Sequence, residues 1–282
     1  QTHWNEKDFY YVACSECATT FVDPVPNDAD FAKMYSKEIY HDVHYGTLDS
    51  RAALSSLEKL EPFRDARKSI LDYACGAGGF LRAAGKSGFE CHGMEYAADV
   101  REAARRNSGA EIHGPDEFES SGMTFDIIHL GDILEHLPEP ARTMRGLERR
   151  LAPGGLFVIE GPLQRNASLV FWSAAGFKAL RRAFGVDRVS GTPPTHLILT
   201  DRTAQRDFFT RALGYRCLHY EVAESGWPYF IASEKPASPG LALKAMVGAA
   251  AIAIQRADPV GMLGNRFFGI FEPGARANGP QT

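Results

Sequence analysis

Ile70-Leu-Asp-Tyr-Ala-Cys-Gly-Ala-Gly-Gly-Phe80 decides the fold. Two apolar residues and an aspartate close what reads as a buried strand. Gly76, Gly78 and Gly79 then crowd into four positions before Phe80 and Leu81 open a helix. A strand that breaks into a glycine turn and re-forms as a helix lets main-chain N–H groups come close to a ligand. Doubly wound α/β sheets hold nucleotide-like cofactors at such a corner, although the same pattern also serves as a plain strand–helix connection.

Outward from the turn, strands and helices alternate. Strands are expected at Ser69–Tyr73, Glu90–Glu95, Ala110–His113, Phe125–Leu130 and Leu156–Glu160, and helices at Gly79–Ser87, Ala98–Asn107 and Pro140–Leu151. The last of these helices is expected to end at Pro153-Gly154-Gly155. Strict alternation predicts a parallel sheet with helices on both faces. Residues 163–195 break the rhythm with a polar loop, an aromatic helix over Ser168–Phe184 and a Ser-Gly-Thr-Pro-Pro segment. Following the fifth strand, this insertion falls at the carboxyl edge of the sheet, where ligands bind, and reads as a cap. A helix over Thr203–Leu213 and strands Tyr215–Glu221 and Arg266–Glu272 complete the pattern, with a Pro/Gly-rich excursion between the strands. Ahead of the turn, residues 9–26 read as two short strands joined by a Cys14-x-x-Cys17 knuckle. Residues 28–40 and 47–60 carry helical periodicity.

Composition narrows the classes. The 282 residues carry a formal charge of −4 with a pI near 6.2, so there is no bulk attraction to nucleic acid or to an anionic membrane. Arginines at 101, 105 and 106, and at 145, 149 and 150, stand at helical spacing among acidic residues and read as solvated helix faces. Five scattered cysteines do not form a disulfide framework and fit a reducing, cytoplasmic setting. The chain opens on Gln1 rather than methionine, so its native start is expected upstream; no signal peptide is visible. The most apolar run, Gly240 to Ile254, contains Lys244 and is shorter than the roughly 20 residues of a membrane span, so no integral span is expected.

Further residues carry chemistry. Glu95 ends the second strand about 20 positions after the turn, where an acidic side chain accepts hydrogen bonds from ribose hydroxyls. Phe125-Asp-Ile-Ile-His-Leu-Gly-Asp-Ile-Leu-Glu-His-Leu-Pro-Glu-Pro140 is a buried strand followed by a loop offering Gly131, Asp132, Glu135 and His136. Leu151-Ala-Pro-Gly-Gly-Leu-Phe-Val-Ile-Glu160 is the fourth block. In this order the four blocks resemble the class I S-adenosylmethionine-dependent methyltransferases over about residues 65–235. Dehydrogenases lack the Glu-His-Leu-Pro-x-Pro and Leu-x-Pro-Gly-Gly segments.

The resemblance implies a doubly wound, seven-stranded, mostly parallel α/β sheet over residues 65–282, with the cap insertion at 163–195 and a small N-terminal module at 1–64. S-adenosylmethionine would be the cofactor. Asp72, Ala74, Gly76 and Gly78 would hold its methionine part with Phe80 alongside. Glu95 would bind the ribose, Tyr96 would pack near the adenine, and Gly131, Asp132 and Ile133 would line the substrate side. Pro115 stands where related sequences often carry an acidic residue for the adenine amino group, so Asp116 or the backbone would substitute. The Cys-x-x-Cys knuckle, a strand ending in Asp-Pro-x-Pro and a Tyr-rich helix are similar to the N-terminal module of bacterial methyltransferases acting on sugars and secondary metabolites. Sugar C-methyltransferases of that group hold zinc with two Cys-x-x-Cys pairs, whereas structural zinc here would have only Cys14 and Cys17 of its four ligands. The second pair lies upstream or the site is vestigial; the spacing of His3, His41 and His44 does not compel them to complete it. Zinc is therefore not the favoured occupant, and no metal ligands are assigned.

For a base, histidine is the natural candidate among nine. His129 lies inside a strand and reads as packed. His136 follows the fourth strand, close to the methyl position, and either acts as the base or braces the loop. His196, in Pro-Pro-Thr-His-Leu, matches the Glu-His-Leu segment of the sugar C-methyltransferases and is the stronger candidate. Thr195 in place of the glutamate turns the expectation from a carbon acid toward an oxygen nucleophile. Tyr35, Tyr40 and Tyr45 either close over the cofactor or pack in the core. Phe171, Trp172, Phe177 and Phe184 form either an apolar acceptor wall or the core face of the cap helix, and Lys178, Arg181 and Arg182 beside them would suit an acceptor bearing a phosphate or a lipid. The expected function is methyl transfer to a hydroxyl of a small molecule, a sugar or secondary metabolite, with no nucleic-acid partner. The alternatives are C- or N-methylation of a sugar derivative, or a non-catalytic cofactor-binding module. RNA or protein methylation is disfavoured by the acidic pI and the absence of an RNA-reading extension.

Overall fold

A computed structural model describes residues 1–35, 50–185, 191–225, 239–258 and 261–274. The larger sheet has seven strands: β4 (Ser69–Tyr73), β5 (Glu90–Met94), β6 (Glu111–His113), β7 (Phe125–Gly131), β8 (Leu151–Pro162), β10 (Arg216–Ala223) and β11 (Arg266–Glu272). Their order is β10-β11-β8-β7-β4-β5-β6, mostly parallel, with β4 paired to both β5 and β7. This is the doubly wound arrangement expected from the alternation of elements. Chain order reverses at β4, which puts the glycine turn at the switch point.

The chain divides into two compact units interleaved along the sequence: Asn27–Ile159 with Phe209–His219 and Gly269–Thr282, and Gln1–Pro26 with Glu160–Phe208 and Tyr220–Phe268. In the former unit, β4 and β7 are buried on both faces. Ile70, Leu71, Ile127, Ile128 and Leu130 are fully enclosed, which is why these strands read as continuous apolar runs rather than alternating ones. Each such side chain contributes about 1.5–3 kcal/mol on burial. Asp126 sets the register. Its carboxylate accepts from the backbone N–H groups of Lys68 and Ser69 at 2.8 and 2.9 Å and from the Ser69 hydroxyl at 3.0 Å, so Ile70 pairs with Ile127. Burial works to raise the Asp126 carboxyl, but these donors and Arg67 outweigh it and hold the group below its ordinary value.

The glycine-led helix α3 (Gly79–Lys86) packs close to β5: a Cβ on Gly93 would lie 2.7–2.9 Å from Ile112, Cys75 and Leu81. This unit also holds α1 (Asp28–Met34), α2 (Ser50–Leu60), α4 (Ala98–Ser108), α5 (Pro115–Ser121) and α6 (Pro140–Glu148). Residues 36–49, with Tyr40, His41, His44 and Tyr45, lie outside the described residues.

The other unit contains a four-stranded sheet of β1 (Thr2–Trp4), β2 (Lys7–Ala13), β3 (Thr20–Asp23) and β9 (Ile198–Leu199) in the order β1-β2-β3-β9. Asn5 and Glu6 both take positive φ, which makes the β1–β2 connection a two-residue hairpin turn. The knuckle connects β2 to β3: Cys14 N–H donates to Thr19 O at 2.8 Å and Ala18 N–H to Cys14 O at 3.1 Å. Helix α7 (Leu169–Ala183), capped by Ser168, packs against α9 (Pro239–Arg256), while α8 (Arg202–Asp207) is capped by Asp201. Buried Asn166 donates to the carbonyls of Met262 and Gly264 and accepts from Arg202 N–H, tying three segments of this unit together.

Three boundaries differ from the sequence expectation. Helix α6 ends at Glu148, and Pro153-Gly154-Gly155 lies inside β8 instead of preceding it. Gly154 turns at a φ of 75° that an extended run of side-chain-bearing residues would not take. The helix after Asp201 breaks from α into a π turn at Phe208–Ala212. Only Val170 of α7 is buried, and Trp172 and Phe177 are 62% and 60% exposed, so the aromatic stripe is not a core face. Among the described residues, no helix is long and apolar enough to cross a membrane.

Candidate active site

The turn after β4 is shaped by left-handed backbone: Ala74 (φ 61°), Gly76 (φ 51°) and Gly78 (φ 80°), the residue that caps α3. A Cβ on Gly78 would approach Ala104 O to 3.0 Å, so this position needs glycine for both its φ and its space. Glu95 organises the turn. One oxygen of its buried carboxylate accepts from Gly76 N–H at 2.9 Å, the other from Ala97 N–H at 3.0 Å, while its own N–H donates to His113 O at 3.1 Å. The carboxylate therefore joins the glycine turn to the corner between β5 and α4. With both oxygens bonded, it is held in one orientation.

Arg101, which sequence reasoning passed over as part of a solvated face, closes this corner. Its Nη1 donates to Glu95 O at 2.9 Å and Tyr96 O at 2.7 Å, and its guanidinium lies against Gly114. A basic side chain one turn into a helix gives no sequence signal for that role. The Tyr96 and Tyr73 hydroxyls share a hydrogen bond at 2.7 Å, and burial together with Tyr96 pushes the Tyr73 phenol well up. Burial, then Asp72 and Glu95, push the Cys75 thiol up as well, which removes it as a nucleophile.

Asp72 Oδ1 and His129 Nδ1 hydrogen-bond at 2.7 Å, both groups buried, and the Phe80 ring stacks on the imidazole at 3.7 Å and 10°. The carboxylate that the resemblance gives to the methionine part is thus also tied to the strand histidine. Gly131 is required by the same packing, since a Cβ there would meet His129 Cε1 at 2.8 Å. Because Asp72 and His129 are register partners on neighbouring parallel strands, the loops that follow them start side by side. In the loop after β7, Asp132 takes a φ of 51°. His136 closes the short helical turn Leu134–His136. It is buried, its Nδ1 hydrogen-bonded to the Tyr35 hydroxyl at 2.8 Å and its Nε2 3.7 Å from a Glu135 carboxylate oxygen. Pro115 starts α5, whose first turn is closed by Glu117 accepting from Gly114 N–H at 3.3 Å.

His196 belongs to the other unit, where the Gln164 amide donates to its Nδ1. Neighbouring Leu197 accepts from Val22 N–H at 2.9 Å, which anchors the segment to β3. Cys14 and Cys17 are free thiols. Backbone N–H groups, that of Cys17 first, draw the Cys14 thiol below its ordinary value.

The sheet order, the switch-point glycine turn and the acidic residue ending the next strand define a class I S-adenosylmethionine-dependent methyltransferase architecture. The chain belongs to the methyltransferase domain family, whose model matches residues 44–216. Among curated proteins it is 29% identical over 135 residues to the ubiquinone biosynthesis O-methyltransferase of Hydrogenovibrio crunogenus, covering 42% of this chain and 56% of that one. It is 26% identical over 187 residues to the same-named protein of Paracidovorax citrulli, covering 61% and 77%. The chain spans about half the length of most of the curated relatives it matches. Its fold is similar to that of the plantazolicin methyltransferase BamL, solved with a triazolic desmethylPZN analogue and SAH (TM-score 0.52, 11% identity, 87% of this chain and 94% of that one). It is also similar to magnesium protoporphyrin IX methyltransferase from Synechocystis PCC 6803, solved with SAH (TM-score 0.50, 10% identity, 80% and 84%).

Proposed function

We propose that this chain transfers the methyl group of S-adenosylmethionine to a hydroxyl of a small acceptor, of the sugar or secondary-metabolite kind, with His136 as general base. The cofactor fits the cradle on three counts: left-handed backbone that admits close approach, a Gly78 position with no room for a side chain, and a buried carboxylate fixed at the ribose position. Asp72, Ala74, Gly76 and Gly78 would hold the methionine part beside Phe80, Glu95 the ribose and Tyr96 the adenine end. Gly131, Asp132 and Ile133 would line the substrate side. When bound, the sulfonium supplies an electrophilic methyl group.

The hydrogen bond between half-buried Tyr35 and buried His136 is the observation that carries the reading. A neutral amine or a stabilised carbanion attacks a sulfonium methyl without help, but an alcohol or phenol must lose its proton as the new bond forms. In the tautomer where Nδ1–H donates to the Tyr35 oxygen, Nε2 is the ring nitrogen that can take up that proton. Glu135 at 3.7 Å then faces the imidazolium that results. The acceptor oxygen forms the C–O bond as the C–S bond breaks, and the proton goes to Nε2. The names of the curated relatives, all O-methyltransferases, support an oxygen acceptor. His196, held by Gln164, is the second candidate because its ring is also fixed through Nδ1.

The test uses labelled S-adenosylmethionine with a panel of nucleotide sugars and phenols. His136→Gln is expected to lower kcat by about 10²–10⁴-fold while cofactor affinity is retained. A wild-type rate in His136→Gln with a collapse in His196→Gln moves the base to His196. Wild-type rates in both remove the base from the proposal.

A further inference from the structure

Strands β5 and β6 form one end of the large sheet, and their register sets His92 beside Glu111 and Met94 beside His113. Alternate residues of a strand share a face, so His92, Glu111 and His113 emerge together. One ligand atom from each lies within 4.8 Å of the others. His92 Nδ1 is 3.6 Å from one Glu111 oxygen, and His113 Nε2 is 3.9 Å from the other. The two imidazoles stack at 6.0 Å and 11°.

The His113 side chain is only 4% exposed, yet neither of its nitrogens has a hydrogen-bond partner, and Nδ1 of His92 has none either. A buried donor or acceptor left without a partner costs about 1–3 kcal/mol, and natural proteins rarely keep one without a use. The remaining nitrogens face separate carboxylates: His92 Nε2 is 3.5 Å from Glu90, and His113 Nδ1 is 3.5 Å from Glu117. Each histidine thus turns one nitrogen toward the shared Glu111 and the other toward an outer carboxylate. Metal-ligating histidines are oriented by outer acceptors of this kind.

We propose that His92, Glu111 and His113 bind a divalent transition-metal ion of the zinc class. Two imidazoles and one carboxylate suit zinc or its neighbours, not magnesium or calcium, which take oxygen ligands. Tetrahedral bonds of about 2.0–2.1 Å put donor atoms roughly 3.3–3.4 Å apart. The histidine–glutamate separations of 3.6 and 3.9 Å must therefore close by roughly 0.2–0.6 Å, and the ligand atoms as a set, within 4.8 Å of one another, must draw together by side-chain rotation. The Glu111 side chain is 65% exposed, giving the ion a route in and leaving the fourth position to water. Because His113 O accepts from Glu95 N–H, a bound ion would brace the backbone that carries Glu95. The site is independent of the methyl-transfer reading.

The test is a titration of the full chain with Co²⁺, read by its visible absorption and followed by competition with Zn²⁺. A Cys14→Ser, Cys17→Ser background removes the Cys-x-x-Cys pair as a competing site. One equivalent is expected to bind, and Zn²⁺ is expected to raise the melting temperature. Glu111→Gln, at an exposed position that leaves the core intact, and His92→Gln should each weaken binding about 100-fold or more; Glu117→Gln should weaken it about tenfold. Absence of saturable one-to-one binding, or a loss below tenfold in both Glu111→Gln and His92→Gln, overturns the proposal.

Discussion

The glycine turn after β4 and helix α7 both carry residues of the kind that bind ligands, and they are built in opposite ways. At the turn the charged side chains are bonded to the protein itself. Glu95 holds Gly76 and Ala97, Asp72 holds His129, and Arg101 holds the carbonyls of Glu95 and Tyr96. On α7 the large side chains Trp172, Phe177 and Leu180 are exposed, as is Phe184 at its C-cap, and only Val170 is buried. The turn is shaped before any ligand arrives, so binding there loses little conformational freedom. The exposed side chains of α7 bury little apolar surface, so they contribute little to the folded state.

This contrast makes graded predictions. Glu95→Ala should have the largest effect, because it strands two backbone donors and removes the ribose acceptor. Calorimetry should show cofactor affinity falling at least 100-fold, with a loss of about 2–4 kcal/mol in urea unfolding. Gly78→Ala comes next. A Cβ at φ 80° and 3.0 Å from Ala104 O should cost about 1–2 kcal/mol in the same unfolding experiment. The double variant Trp172→Ser/Phe177→Ser should shift stability by no more than about 0.5 kcal/mol. A shift above 2 kcal/mol there would mean that the two regions are not built differently after all.

The sheet was legible because its signals are local. Apolar runs such as Ile127–Leu130 mark strands buried on both faces, and Gly76 and Gly78 mark a turn that only glycine fits well. Strand β11 was expected at the residues where it forms. Contacts that depend on distant partners were not legible. Nothing near Tyr35 in the chain announces that its hydroxyl meets His136, 101 positions away. Arg101 looks like any solvated helix arginine until its two carbonyl partners are placed. Strands β1 and β9 are too short to carry a period, and β9 exists because β3 offers it a pairing edge. The Pro-Gly-Gly segment misled for a related reason: it was read as a helix stop, whereas the turn it makes is absorbed within a strand.

The most direct measurement of the central claim is a calorimetric titration of the chain with S-adenosylmethionine. The account predicts saturable binding of one equivalent, competed by S-adenosylhomocysteine and lost in Glu95→Ala that is shown to be folded. No binding by the wild-type chain, or unchanged binding in folded Glu95→Ala, would contradict it.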